Sequence, residues 1–135
     1  MAKSIEDILT LGEIVQRAHE NASPEAWDYM VGGSETETTL RRNRLALDEL
    51  AFRPRVLRDV SHIDTSTNIL GMPLRMPVFF APMGSLDQLH DDAALVPACA
   101  AREFGIASMV SSVCPPGMET VMTEAGGNLM FQLYV

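Results

Sequence analysis

The sequence offers little thiol chemistry. Of its 135 residues only Cys99 and Cys114 are cysteines, and they form neither a CxxC pair nor a zinc-ligand spacing. No apolar run approaches the roughly 18–20 residues needed to span a bilayer. The first residues, MAKSIEDIL, lack the basic region and apolar core of a secretory leader. Basic charge is scarce as well: ten Lys and Arg stand against eighteen Asp and Glu, for a formal net charge of −8. Nucleic acid and anionic membrane surfaces both need a basic footprint, so that balance disfavours them. Internal repeats and low-complexity tracts are missing too. These absences leave a cytoplasmic, reduced protein acting on small molecules or on other proteins. What is present in quantity is apolar side chain, 47% of the residues, enough to bury the core of one ordinary domain or of part of one.

Helical signals fill the first third. Thr10 and Glu13 have capping-box spacing, and Leu11, Ile14, Val15 and Ala18 recur at helical intervals, predicting a helix over Leu11 to Glu20. Ser23-Pro24-Glu25 is a second start, with a serine cap, a proline at the first helical position and an acid in the first turn. Gly32-Gly33 stops that helix, so Tyr29 falls in its last turn. Ser34 and Glu37 repeat the capping-box spacing ahead of a third helix through Leu40, Leu47 and Leu50, whose Arg41, Arg42, Arg44, Asp48 and Glu49 form a solvated face. Phe52 to Val60 and Thr65 to Ile69 then read as short extended segments, with Pro54 and Gly71-Met72-Pro73 at turns or an edge.

The grammar changes at Leu74. The apolar run Met76 to Ala81 reads as a strand covered on both faces, as in parallel sheets. It empties into the Pro82-Met83-Gly84 loop, the position where α/β proteins place ligands. A residue without a Cβ at Gly84 lets a flat ligand approach the backbone, although Pro-x-Gly is also an ordinary turn. A helix over Ala93 to Phe104, a strand over Ile106 to Val110, a helix over Met118 to Glu124 and a strand over Leu129 to Val135 follow. The strand spacing suits βαβ units with right-handed crossovers. The chain stops inside MFQLYV with no turn or cap. Because natural folds continue or close such an edge, the expectation is the front of a larger α/β barrel.

Several stretches in order, AWDYMVGG, TLRRNRLALDEL, FRPRVLRDV, DTSTNILG, MPVFFAPMG, SMVSS and FQLYV, resemble the successive landmarks of the FMN-dependent 2-hydroxy-acid oxidases and dehydrogenases. Glycolate oxidase, lactate oxidase and mandelate dehydrogenase belong to that group. The resemblance runs from about Thr10 onward. It implies a (β/α)8 barrel preceded by a helical segment and a small hairpin across the barrel floor. Residues 1–73 would supply the preamble, and residues 74–135 the first three barrel strands with two helices.

The same resemblance implies FMN as cofactor and site residues by position. Tyr29 and Tyr134 would hydrogen-bond a 2-hydroxy-acid substrate. Pro82, Met83 and Gly84 would pass under the flavin, although many relatives carry Thr-Ala at Met83-Gly84, so only a backbone contact transfers. Ser111 would bond the flavin ring, with the neighbouring Ser112 leaving the register open, and Gln132 would read its pyrimidine edge. Gln132 and Tyr134 stand two apart and so share one side of the third strand. The family's catalytic base, a histidine, has no counterpart here, so no catalytic residue is assigned. His90 is read as a residue that fixes its loop or caps a helix, His19 and His62 receive no role, and Cys114 is read as an inert small residue. Val113, where some relatives place a bulky aromatic, suggests a different or roomier pocket.

Each assigned residue also has an ordinary alternative: Tyr29 a wet-tipped helix-end aromatic, Ser111 a turn serine, and Gln132 with Tyr134 an exposed strand face. The whole protein is expected to oxidise an (S)-2-hydroxy acid to a 2-oxo acid, passing electrons to oxygen or another acceptor, as a homo-oligomer, commonly a tetramer in relatives. Two rivals stay open: a non-catalytic split half-barrel that pairs with another chain, and a flavin barrel of the type 2 isopentenyl diphosphate isomerase kind.

Overall fold

The computed structural model describes residues 7–135 and divides into two units, one running through Arg58 and the other from Asp59 to Val135.

The first unit is helical. Helix α1 (Leu11–Asn21) opens with the expected capping box: Thr10 Oγ1 accepts the Glu13 N–H at 3.3 Å while Glu13 Oε2 accepts the Thr10 N–H at 3.0 Å. Two of the donors a helix start leaves unpaired are thereby satisfied. In α2 (Pro24–Val31) Ser23 Oγ accepts the Ala26 N–H at 3.2 Å. Gly32 ends it, as expected.

The third helix departs from the sequence reading. Helix α3 spans Thr38–Asp48, which leaves Leu50 outside, and no side chain caps it. Ser34 and Glu37 instead close a backbone turn, Glu37 N–H to Ser34 C=O at 2.9 Å, with Glu37 left-handed at φ 54°. A turn that satisfies its own backbone has no use for the serine cap. The Glu37 carboxylate reaches back to the Gly33 N–H at 3.1 Å. Among the described residues of this unit only Ala26 is buried.

The second unit opens with a hairpin. The segment Phe52 to Val60, read as extended, joins no strand: among the described residues no neighbouring strand takes up its backbone groups, and an isolated extended segment gains no ladder bonds. Asp64 Oδ1 accepts the Ser66 N–H at 2.8 Å at the entry to β1. That hydrogen-bonding holds the Asp64 carboxyl below its usual range, chiefly through the Ser66 side chain and then its backbone. Strands β1 (Thr67–Ile69) and β2 (Met72–Leu74) pair antiparallel. Met72 and Pro73, expected at a turn or an edge, lie in the return strand of this two-stranded ribbon. The turn is the two-residue Leu70-Gly71, with φ of 53° and 82°, the left-handed pair that a tight hairpin needs. Pro73 is tolerated because a two-stranded ribbon is all edge.

Three parallel strands follow in the order β3-β4-β5: Phe79–Phe80, Ala107–Ser111 and Asn128–Gln132. Helices α4 (Leu95–Phe104) and α5 (Met118–Glu124) connect them. Strand β4, paired on both sides, is buried along nearly its whole length. Its Val110 packs with Ala94, Ala98, Val121 and Ala125, where alanines on α4 let helix and sheet approach closely. Gly105 ends α4 at φ 67°, a left-handed conformation favourable for glycine.

Two expectations fail at the sheet margins. The first strand was to be covered on both faces, yet only Phe79–Phe80 pair, and Val78 and Phe79 are exposed. It has a neighbour on one side only. The third strand was to reach Val135, but its ladder ends at Gln132, so Tyr134 lies beyond it and does not share a strand face with Gln132.

The hairpin lies against the N-terminal ends of these strands. The Arg75 N–H, just after β2, donates to Gly105 C=O at 2.8 Å, just before β4. Asn128 Nδ2, at the start of β5, donates to Pro73 C=O at 2.9 Å. Leu74 is buried at this floor.

Candidate functional site

The opposite, C-terminal ends of the strands hold the polar cluster. Parallel pairing places Ser111 beside Gln132. Successive side chains alternate faces along a strand. Since Val110 and Leu129 pack with the helices, Met109, Ser111, Met130 and Gln132 point to the other face. There Ser111 Oγ donates to Gln132 Oε1 at 3.0 Å and accepts the Val113 N–H at 3.3 Å. Ser111 is buried and Gln132 half-buried. The carboxamide is thus held through its oxygen. Its Nε2 has no acceptor among the described residues.

The two adjacent serines make different contacts. Ser111 faces Gln132, whereas Ser112 continues the ladder through its N–H to Gln132 C=O at 3.1 Å. Its exposed hydroxyl accepts the Tyr134 N–H at 3.4 Å. That acceptor role escaped the sequence reading; the alternation of side chains along β4, which sends neighbouring serines to opposite faces, was the available signal.

Gly84 joins the cluster through the β4 loop. Its N-terminal neighbours Pro82 and Met83 leave β3, and the Ser85 N–H donates to Val113 C=O at 3.2 Å. A Cβ placed on Gly84 would lie 2.9 Å from Val113 Cγ2, so the two loops approach closely here and an added methyl would require the half-exposed Val113 side chain to shift. The N–H groups of Met83 and Gly84 donate to no protein acceptor among the described residues. Gly84, Ser111 and Gln132 therefore gather at one rim.

The remaining sequence-predicted residues stand elsewhere. Tyr134 is exposed just past β5, with its backbone on Ser112. Tyr29 belongs to the first unit, exposed in the last turn of α2. His90 Nδ1 accepts the Asp92 N–H at 3.1 Å on an exposed loop, which is loop-fixing, as expected. Cys114 is buried in the core with its thiol on Pro115 C=O at 3.4 Å. His19 packs against Trp27 in a tilted contact, ring centroids 4.4 Å apart. Beside the rim an open cleft of about 480 Å³ is lined by Ser111, Ser112, Gly117, Met118, Glu119 and Phe131. Among the described residues there is no grouping of His, Cys, Asp and Glu able to hold a metal, and no helix long and apolar enough to cross a membrane.

The parallel α/β sheet thus collects amide, hydroxyl and unpaired backbone N–H groups at the C-terminal ends of its strands, the edge at which open α/β sheets bind ligands. The chain belongs to the FMN-dependent dehydrogenase family, whose model matches residues 18–135. It is 37% identical to glycolate oxidase 3 of Oryza sativa subsp. indica over 131 residues, which is 97% of this chain and 36% of that enzyme. Against L-lactate oxidase of Nostoc sp. the identity is 34% over 137 residues, 98% of this chain and 37% of the relative. The fold is similar to that of a mandelate oxidase, with a TM-score of 0.89 at 31% identity over 94% of this chain and 37% of the other. It matches equally well the same kind of enzyme solved with (S)-4-hydroxymandelic acid, at a TM-score of 0.89. The chain thus spans a little over a third of the length of the curated relatives it matches.

Proposed function

We propose that the protein to which this chain contributes oxidises an (S)-2-hydroxy acid to the 2-oxo acid with FMN, and that these residues form the opening third of its (β/α)8 barrel, residues 1–73 being the preamble and 74–135 the barrel portion. The observation that carries the reading is the Ser111–Gln132 hydrogen bond at the same rim as Gly84.

The donor set suits the cofactor. A flavin's pyrimidine edge alternates carbonyl acceptors with an N–H donor, and a carboxamide presents both partners. Gln132 offers Nε2 as a donor and shares Oε1 with Ser111, while Ser111 holds the amide in plane. Met83 and Gly84 supply backbone N–H groups where no side chain intervenes, so the contact survives the lack of Thr-Ala at these positions. Pro82 fixes the backbone that delivers them. FMN, when bound, accepts the two electrons of the oxidation.

Tyr29 and Tyr134 are the residues for the substrate. A phenol donates to a carboxylate without titrating near neutrality, and hydrogen bonds to an anion are among the strong ones. Their part is to hold the acid in a fixed orientation, which lowers the entropic cost of reaction. The proton-accepting base, the electron acceptor, oxygen or another, the tetrameric assembly and a cytoplasmic location belong to the same proposal.

The test is anaerobic addition of glycolate, lactate and mandelate to the complete flavoprotein. Bleaching of the visible flavin absorbance by at least one of them is the expected result; a panel that leaves the oxidised spectrum intact overturns the reading.

A further inference from the structure

Below the polar pair at the rim, the same face of the sheet carries sulfur. The parallel register that sets Ser111 beside Gln132 also sets Met109 beside Met130. Side chains two apart along a strand share a face, so the two methionines lie one step, about 6–7 Å, from the rim toward the floor. Both are half-buried. Neither belongs to the core cluster around Val110 and Val121, which the helices complete on the other face of the sheet. The next pair down is Ala107 with Asn128, and Asn128 is bonded to Pro73 C=O.

The two strands therefore present three tiers on one face: an amide committed to the hairpin, a pair of thioethers, and a hydroxyl with an amide. Hydrogen bonds to ring carbonyls lie near the ring plane, so the top tier can hold only the polar edge of a flat heterocycle. The rest of such a ring needs apolar neighbours. On this face of the two strands the apolar side chains nearest to Ser111 and Gln132 are Met109 and Met130. Methionine suits the task, because it is unbranched, adapts its shape, and its polarisable sulfur makes favourable contacts with aromatic rings. We propose that Met109 and Met130 are flavin-binding residues, the apolar bed of the ring system whose polar edge Gln132 and Ser111 hold. This inference rests on the flavin reading of the rim and adds to it two residues which that reading does not use.

The test follows the methionine methyl signals by ¹H–¹³C NMR in the complete protein, without FMN and after FMN is added. Met109→Leu and Met130→Leu, swaps of nearly equal volume, identify the two signals; if either variant does not fold, through-space contacts to the Ser111 and Gln132 backbone amides identify them in the wild type. The Gln132 side-chain amide, observed through ¹⁵N in the same sample, reports on the rim. FMN should shift both methyl signals together with the Gln132 amide, and should leave the exposed Met30 and Met122 in place. A Gln132 amide that moves while the two methyls stay still overturns the bed and leaves the flavin reading standing. Shifts of Met30 and Met122 as large as those of Met109 and Met130 overturn it too, since the response is then not local. If all three signals move yet 2-hydroxy acids fail to bleach the flavin, the bed is supported and the proposed reaction is what falls; if none moves, both fall.

Discussion

Asn128 and Gln132 carry the same functional group on the same face of β5, four residues or about 13 Å apart along the strand, and they do opposite work. At the floor, Asn128 spends its Nδ2 on Pro73 C=O. That bond joins strand to hairpin across a long stretch of chain. At the rim, Gln132 is gripped by its oxygen, from Ser111, and its nitrogen has no acceptor among the described residues. An amide whose donor is used internally is architecture, whereas one whose acceptor is used internally leaves its donor available, the role proposed for Gln132 toward a ligand. The difference lies in what the fold brings opposite each amide: a backbone carbonyl at the floor, a side-chain hydroxyl at the rim.

The comparison is strained hardest at its structural end. Leu74→Ala, beside Pro73 in the buried floor, should lower stability by about 2–5 kcal/mol; a denaturant midpoint unchanged from wild type would mean the floor is not a packed layer. At the other end, Gln132→Leu in the complete protein should weaken FMN binding by roughly ten- to a hundredfold, in line with about 1–3 kcal/mol for a buried hydrogen-bonding group left without its partner. The folding midpoint should fall too, by about 1 kcal/mol, because the buried Ser111 hydroxyl loses its acceptor, and a fluorescence titration alongside a melt separates the two effects.

Asn128→Leu should touch stability alone. Here we expect a stability loss of about 1 kcal/mol from the broken bond to Pro73, with flavin affinity of the folded fraction preserved; equal effects on both would erase the distinction between floor and rim. Smallest of all should be His90→Ala. Its one bond to the Asp92 N–H is exposed, so the melt should shift by no more than about 0.5 kcal/mol, and turnover in the complete protein should persist, whereas collapse of turnover would make His90 a reacting group.

Much of this was readable from the residues, and the failures share a cause. Thr10 with Glu13, Ser23 with Pro24, and Gly105 each act within one turn of chain, so local chemistry decided them. Ser34 with Glu37 had the same spacing as Thr10 with Glu13 and formed a turn instead, because spacing does not say whether the backbone will satisfy itself first. Phe52 to Val60 read as extended but has no strand beside it, and for Met72-Pro73, read as a turn or an edge, pairing with Asn68 and Ile69 selected the edge. Both cases turned on a partner elsewhere in the chain.

By itself the sequence determined the helices, the three parallel strands and the residue types at the rim, since capping, periodicity and glycine placement are written in consecutive residues. Only the tertiary structure decided which serine meets Gln132, that Ser112 instead holds Tyr134, and that Gly84 abuts Val113. Those outcomes depend on register and loop contact between segments separated by many residues, and no local pattern encodes the distance between them.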